Sequence, residues 1–399
     1  MIKKIPIAEL QPGMYVTQVT KQNGQVEVKT KGWAKTDKII TQLKLKGVLE
    51  VAIDPDKTII DETEEKADSE LPETAKEVVP FKTQTVEKEL KKARKLYDEA
   101  QQLQKKALGD IQAGRKIDVK PIQEFTSSMI DSIFRNQDAL TCMTRIREKD
   151  AYLYEHSLNV SILMAMFARH LDMDKEQIEM LSQAAFLHDM GKILIPDEIL
   201  HKPGKLTDDE FKIMREHVNY GIKTLAETPG IPAELIEIVG MHHEKLNGTG
   251  YPNGLKAEQI TQAGRMITIV DIYDAMTAER VYKKGMLPSA AFKIMQSMVP
   301  DEIDGNLLHQ FIRCVGVHPV GTLVKLKSGK LAIVTESNQN NPLKPIVKIF
   351  YNANHNHHTE IKDLDLSKAY VNDAIESSIK PEKFKIELNK FMREVLIGN

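Results

Sequence analysis

The chain has 399 residues, 41% of them hydrophobic and 28% charged, with a formal net charge of −2. That length points to two or three folded units, and the near-neutral balance excludes bulk nucleic-acid binding through a broad basic surface while leaving room for a local basic pocket for a phosphorylated small molecule. No stretch approaches about 18 uninterrupted apolar residues, so no membrane span is expected. The N-terminus from Met1 to Pro6 has no apolar run after its lysines and does not read as a signal peptide. The two cysteines, Cys142 and Cys314, form no CxxC pair, which excludes a cysteine zinc site or disulfide framework and fits a reducing, cytoplasmic compartment.

In chain order, residues 1–53 alternate short apolar runs with Gly13, Gly24, Gly32 and Gly47, and Val16, Val19, Val26 and Val28 favour strands; a small α/β module is expected. Residues 54–84, with Asp61 to Glu65 and Pro72 and Pro80, read as an acidic linker. Residues 85–117 carry a helical stripe of Leu90, Ala93, Leu96, Tyr97, Ala100, Leu103, Ala107 and Ile111. Such a stripe packs either on its own domain or on a second copy as a dimerising coiled coil. Residues 118–318 follow helical periodicity throughout and form the expected all-α domain. Residues 319–366 read as a small β module, with two strands joined around Ser328-Gly329 and a third over Ile346 to Tyr351. Residues 367–399 read as a helical tail. The chain is thus expected to be mainly α, with a small module at each end.

Metal-ligand residue types collect in the helical section at His156, His188, Asp189, His217, His242, His243 and Asp271. A single histidine is usually a surface or hydrogen-bonded core residue. Here the contexts argue otherwise. His188-Asp189 ends the apolar run Ala184 to Leu187, and Asp271 follows Met266 to Val270. Unpaired polar groups there would be costly to desolvate, and a shared metal would offset that cost. Imidazole with carboxylate suits borderline divalent metals such as iron, manganese or zinc. His355, His357 and His358, in an Asn-rich stretch, read as a surface loop.

His188-Asp189 with Gly191 and Lys192 resembles the HD superfamily of metal phosphohydrolases. The run His242-His243-Glu244-Lys245-Leu246-Asn247-Gly248-Thr249-Gly250-Tyr251-Pro252 is similar to the extended HD-GYP signature. Leu10 to Val16 resembles a small domain that precedes such domains. The resemblance, over roughly residues 145–318, implies an HD-type helical core and hydrolysis of cyclic di-GMP to linear pGpG and, in some members, on to GMP. It implies one metal on His156, His188, Asp189 and Asp271, with Asp189 bridging to a second on His217, His242 and His243. The third-metal glutamate of some members is Tyr152 here, and Glu155 is out of register, because adjacent helical residues point about 100° apart. Two divalent ions are implied, iron or manganese foremost, with zinc, nickel or cobalt as alternatives. Two such metals, about 3.5–4 Å apart, share and activate a water for attack on a phosphodiester.

Lys192 lies on nearly the same helical face as Asp189, and the resemblance points it at the phosphate. It also implies substrate contacts from Asp274, Arg280 and Lys283; the family's proline between the arginine and the tyrosine is Val281 here. Glu244 is read either as a carboxylate orienting a ligand histidine or as a solvent-facing one, and Tyr251 first as a structural anchor. Partners implied are cyclic di-GMP, a second copy of the chain, and a GGDEF-type cyclase through the GYP loop. The competing readings are a catalytically weak cyclic di-GMP sensor and an HD phosphohydrolase of another nucleotide.

Overall fold

A computed structural model describes residues 2–11, 14–22, 32–34, 48–54, 82–145, 152–278, 285–338 and 341–384, with Ile40, Leu43 and Phe391 besides. The chain divides into two compact units, Met1–Val78 and Val79–Asn399.

In the first unit, β1 (Lys3–Pro6), β2 (Tyr15–Gln22), β3 (Gly32–Trp33) and β4 (Val48–Ile53) form an antiparallel sheet ordered β1-β4-β2-β3. Val51 and Ile53 on inner strand β4 pack with Ile5, Ile7, Leu10 and Val16 in a separate apolar cluster. Most of the segment expected to be a linker, residues 55–81, lies outside the described residues.

The second unit opens with α1 (Val86–Gln112) and α2 (Val119–Met143), which pack together. The α1 stripe is buried along Leu90, Ala93, Tyr97, Ala100, Ala107 and Ile111. Polar side chains on the same face are bonded inward: Tyr97 Oη donates to Asn159 Oδ1 at 2.9 Å, and Gln104 Nε2 donates to the Phe186 carbonyl at 2.6 Å. The stripe therefore packs on its own unit. Next come α3 (Tyr152–His170), α4 (Lys175–Leu187), α5 (Asp197–Leu200), α6 (Asp208–Arg215), α7 (His217–Ala226), α8 (Ala233–Met241), α9 (Gln262–Thr277), α10 (Pro288–Ser297) and α11 (Gly305–Val315). Two of them are central. Leu158, Val160, Ile162, Met164 and Phe167 of α3, and Met266, Ile267, Ile269 and Val270 of α9, are buried around most of the helix circumference. A helix buried on most of its faces has little solvent face and lies inside.

The C-terminal strands are β5 (Leu323–Leu326), β6 (Lys330–Glu336), β7 (Ile346–Asn352), β8 (His357–Asp365) and β9 (Ile375–Ser378), antiparallel in the order β8-β7-β6-β5-β9. The hairpin turns at Gly329, whose φ of 79° suits glycine. Two expectations are corrected here. His357 and His358 begin strand β8 and do not lie in a loop; β8 is a mostly exposed edge strand, so it lacks the apolar alternation that marks a strand in sequence. The segment expected to be a helical tail first supplies β9, a four-residue edge strand on β5, before a 3-10 turn at Pro381–Phe384. Such a short, polar strand has no periodicity to read. Residues 385–390 and 392–399 lie outside the described residues.

The mainly helical fold with a small sheet at each end is otherwise as expected. Leu323, Ile333, Val347 and Phe350 join the same apolar cluster as the helices, so the β module shares the helical core. Asp138 fastens the two: it accepts from Ser337 N at 2.9 Å and Ser337 Oγ at 2.7 Å, and pairs with Lys82 Nζ at 2.7 Å. Cys142 and Cys314 are buried and unpaired, and burial pushes both thiols up to about 12. Among the described residues no helix is long and apolar enough to cross a membrane. Replacing Asp138 with Ala leaves Lys82 and Ser337 without their common acceptor and is expected to destabilise the unit by about 2–4 kcal/mol, measured by urea unfolding.

Candidate metal centre

The metal-ligand candidates sit mostly at helix ends. His188 caps the C-terminus of α4, and Asp189 follows it into a 3-10 turn, Met190–Leu194. His217 opens α7, His242 caps the C-terminus of α8, and His243 comes next. His156 lies in the first part of α3, and Asp271 two-thirds along α9. These separate elements converge. His156, His188 and Asp189 place one donor atom each within 4.8 Å of one another, as do Asp189, His217, His242 and His243.

Asp189 belongs to both groups, with one oxygen toward each. Its Oδ2 lies 3.4 Å from His156 Nε2 and 3.3 Å from His188 Nε2. Its Oδ1 lies 3.5 Å from His217 Nε2 and 3.7 Å from His242 Nε2. Asp271 also faces two ways, with Oδ1 3.0 Å from His156 Nε2 and Oδ2 3.7 Å from His243 Nδ1.

The tautomers follow from the backbone. Nδ1 of His188, His217 and His242 donates to the carbonyl three residues earlier, Ala185, Met214 and Val239, at 2.7, 2.7 and 2.6 Å. That leaves Nε2 as a lone pair turned inward. Nε2 of His217 and of His242 are only 3.3 Å apart. Among the described residues, His188 Nε2 and Asp189 Oδ1 are buried with no hydrogen-bond partner. Converging lone pairs and orphaned buried acceptors fit a bound divalent metal.

The electrostatics agree. Burial lowers His217 to about 4 and His243 to about 3, with Lys192 adding to the first and His217 to the second; burial and His243 hold His242 well below its usual value. These imidazoles are neutral at pH 7, as ligands must be. Burial opposes the charge on Asp189, but His188 and Lys192 outweigh it and keep the carboxylate ionised. His156 differs: burial opposes its charge, yet Asp271 and Asp274 on its two nitrogens raise it to about 9.

Comparison with known proteins gives a consistent identity. A family model for an HD domain matches residues 129–307, one for a domain of unknown function matches residues 2–122, and one for a KOW domain associated with HD domains matches residues 323–385. A cyclic di-GMP phosphodiesterase of Pseudomonas aeruginosa is 33% identical over 94% of this chain and 91% of its own length. The chain belongs to the HD-domain cyclic di-GMP phosphodiesterases. A Thermotoga maritima cyclic di-GMP phosphodiesterase is 34% identical over 49% of this chain and 52% of its own. A 3'3'-cGAMP-specific phosphodiesterase of Vibrio cholerae is 40% identical over 32% of this chain and 25% of its own.

In this metal-dependent phosphodiesterase, the residues behind the candidate ligands are less legible than the candidates themselves. Asp274, expected at a guanine edge, is buried with Oδ2 2.8 Å from His156 Nδ1. One helical turn from Asp271, it meets the ring of His156, a candidate ligand, from the side away from Asp271. Glu244 is buried too, but fits neither expectation: its two oxygens accept from Asn253 N at 2.7 Å and Leu255 N at 2.9 Å, pinning the GYP loop. Tyr251 packs its ring 4.7 Å from that of His243, as the anchor it was expected to be. Lys192 Nζ lies 2.6 Å from Asp189 Oδ2. Arg280 and Lys283 lie outside the described residues, and of Tyr152 only the backbone is described. Sequence reasoning missed Arg215 and Phe211, which flank Tyr251; a lone arginine and phenylalanine on an exposed helix carry no signal.

Gly191 shows how tightly the centre is packed. A Cβ there would overlap the His217 carbonyl oxygen and come within 2.6 Å of the Gly221 nitrogen, so the 3-10 turn bearing Lys192 lies directly on α7. Gly191→Ala is therefore expected to push His217 away from Asp189 and weaken metal retention, measured as metal per chain after dialysis.

A pH dependence follows. With His156 protonated up to about pH 9 in the metal-free protein, binding a metal at its Nε2 displaces that proton, whereas His217, His242 and His243 have none to lose at pH 7. Manganese affinity should rise about tenfold per pH unit between pH 6 and 8. Calorimetry in buffers of different ionisation enthalpy should record about one proton released per chain at pH 7; a value of zero contradicts the assignment.

Proposed function

We propose that this chain hydrolyses cyclic di-GMP to linear pGpG at a two-metal centre, with GMP as the product of a second cut. One observation carries the reading: Asp189 offers one oxygen to the His156–His188 group and the other to the His217–His242 group. A carboxylate so placed suits a bridge between two cations. Asp271 would complete the first site with His156 and His188, and His243 the second with His217 and His242. When bound, such ions supply the Lewis acidity that polarises a phosphodiester and lowers the pKa of water. The mixed imidazole and carboxylate donors favour iron or manganese.

The chain's own residues do the rest. Nδ1 bonds to backbone carbonyls and to Asp274 keep four of the five imidazoles, His156, His188, His217 and His242, turned inward, so these need not reorganise. Lys192, 20% exposed at its side chain, reaches Asp189 Oδ2 from the partly exposed side of the centre's packing and would hold a phosphate oxygen and support the departing alkoxide. Mostly neutral ligands leave positive charge for the anionic diester.

Protein loaded anaerobically with iron or manganese should convert cyclic di-GMP to pGpG. Asp189→Ala should lose both metals and more than about 100-fold of the turnover, since outer partners of metal ligands alone are worth about 10–100-fold. Tight binding without turnover would favour the sensor reading. Faster turnover of 3'3'-cGAMP would move the substrate toward that of the Vibrio relative.

A further inference from the structure

Arg215 closes α6 two residues before His217, and its guanidinium carbon sits 4.5 Å from the Phe211 ring centroid and 4.9 Å from that of Tyr251. The two rings meet at 82°, so the cation occupies the corner between them. Tyr251 in turn packs on His243, which places the guanidinium one ring away from the metal centre. Cation–π contact fixes the arginine without neutralising it or using its N–H donors. Among the described residues it makes no ion pair or hydrogen bond, and its Nε is buried without a partner. Other arginines of this unit are used differently: Arg135 pairs with Glu89 at 2.8 Å and Arg265 with Asp304 at 2.9 Å. Phe211, 39% exposed, leaves aromatic surface beside the cation.

An arginine held in place, left without an acceptor and set at the rim of a phosphodiesterase centre is a site for part of the substrate. We propose that Arg215 is a substrate-recognition residue: its guanidinium takes a pair of acceptor atoms of the cyclic dinucleotide away from the diester being cut. Two groups of that molecule present such a pair, the O6 and N7 edge of a guanine and the free oxygens of the second phosphate. The proposal rests on the cyclic-dinucleotide reading above and adds a contact on the α6 side, with Phe211 and Tyr251 as its seat.

The test compares the metal-loaded parent with Arg215→Ala, Arg215→Lys and Phe211→Leu, each checked for metal content. With cyclic di-GMP, Arg215→Ala should raise KM about 10- to 100-fold, the range for a lost charge-assisted bond, with kcat much less affected. Arg215→Lys should not restore it, because an ammonium lacks the planar fork; Phe211→Leu should shift KM in the same direction by less. Bis(p-nitrophenyl) phosphate, with no purine and no second phosphate, should lose far less turnover. Weakened inhibition by cyclic di-GMP but not by cyclic di-AMP would identify the guanine edge, and equal weakening the second phosphate; each supports a recognition role. An unchanged KM, or equal losses on both diesters together with lost metal, overturns it. A parent that cleaves bis(p-nitrophenyl) phosphate but no cyclic dinucleotide sinks the functional reading and this proposal with it. A parent active on cyclic di-GMP with KM indifferent to residue 215 sinks this proposal alone.

Discussion

Asp189 holds a negative charge in a buried place where four imidazole nitrogens point at it from two sides. No arrangement of the chain alone satisfies all of these groups. Lys192 reaches one oxygen, His156 is driven to keep a proton between Asp271 and Asp274, and His188 Nε2 stays without a hydrogen-bond partner among the described residues. The surrounding structure must hold these mutually repelling groups together. Two helices buried around most of their circumference, α3 and α9, supply the rigidity, because a side chain anchored in a close-packed core cannot relax away from its neighbours.

Helix ends solve the orientation problem. The last carbonyls of a helix have no intrahelical donor. The carbonyls of Ala185, Met214 and Val239, near the ends of α4, α6 and α8, each accept a hydrogen bond from the Nδ1 of a histidine three residues on. One hydrogen bond thus caps a helix, fixes a tautomer and aims Nε2 at the centre. His156 has no helix end behind it, and for that histidine Asp274 performs the same service through a carboxylate. Asp271 on Nε2 and Asp274 on Nδ1 give it the opposite charge preference from His217, His242 and His243, raising its pKa where burial lowers theirs.

Three candidate ligands were legible in sequence because they break apolar runs: His188 and Asp189 after Ala184 to Leu187, and Asp271 after Met266 to Val270, are too costly to leave unexplained, while His156, His217, His242 and His243 were assigned by the family resemblance. Their outer partners had no such mark. Asp274 shares α9 with Asp271, and only the packing of α3 against α9 shows which carboxylate meets which ring nitrogen. Glu244 reads as a charged residue beside two histidines, yet it serves two backbone amides nine and eleven residues ahead. Strands β8 and β9 failed for another reason. Edge strands with a solvated face carry polar residues at most positions, so the period-two signal disappears.

The packing of α1 cuts across the family boundaries. The model for the domain of unknown function runs to residue 122 and the HD model begins at 129, which assigns α1 to the N-terminal family. Its polar side chains are bonded to the catalytic core instead. Gln101 donates to Glu155, the neighbour of His156; Tyr97 donates to Asn159, one turn beyond Glu155; and Gln104 donates to the carbonyl of Phe186, two residues before His188. These bonds join α1 to both segments that supply the His156–His188 group. Buried amide and hydroxyl bonds of this kind are short-ranged and directional, so α1 cannot slide or turn without leaving a buried polar group unpaired. The helix that leads into the second unit is therefore part of the scaffold that sets the position of His156 and His188, and a description of the metal centre that begins at residue 129 omits one of its supports.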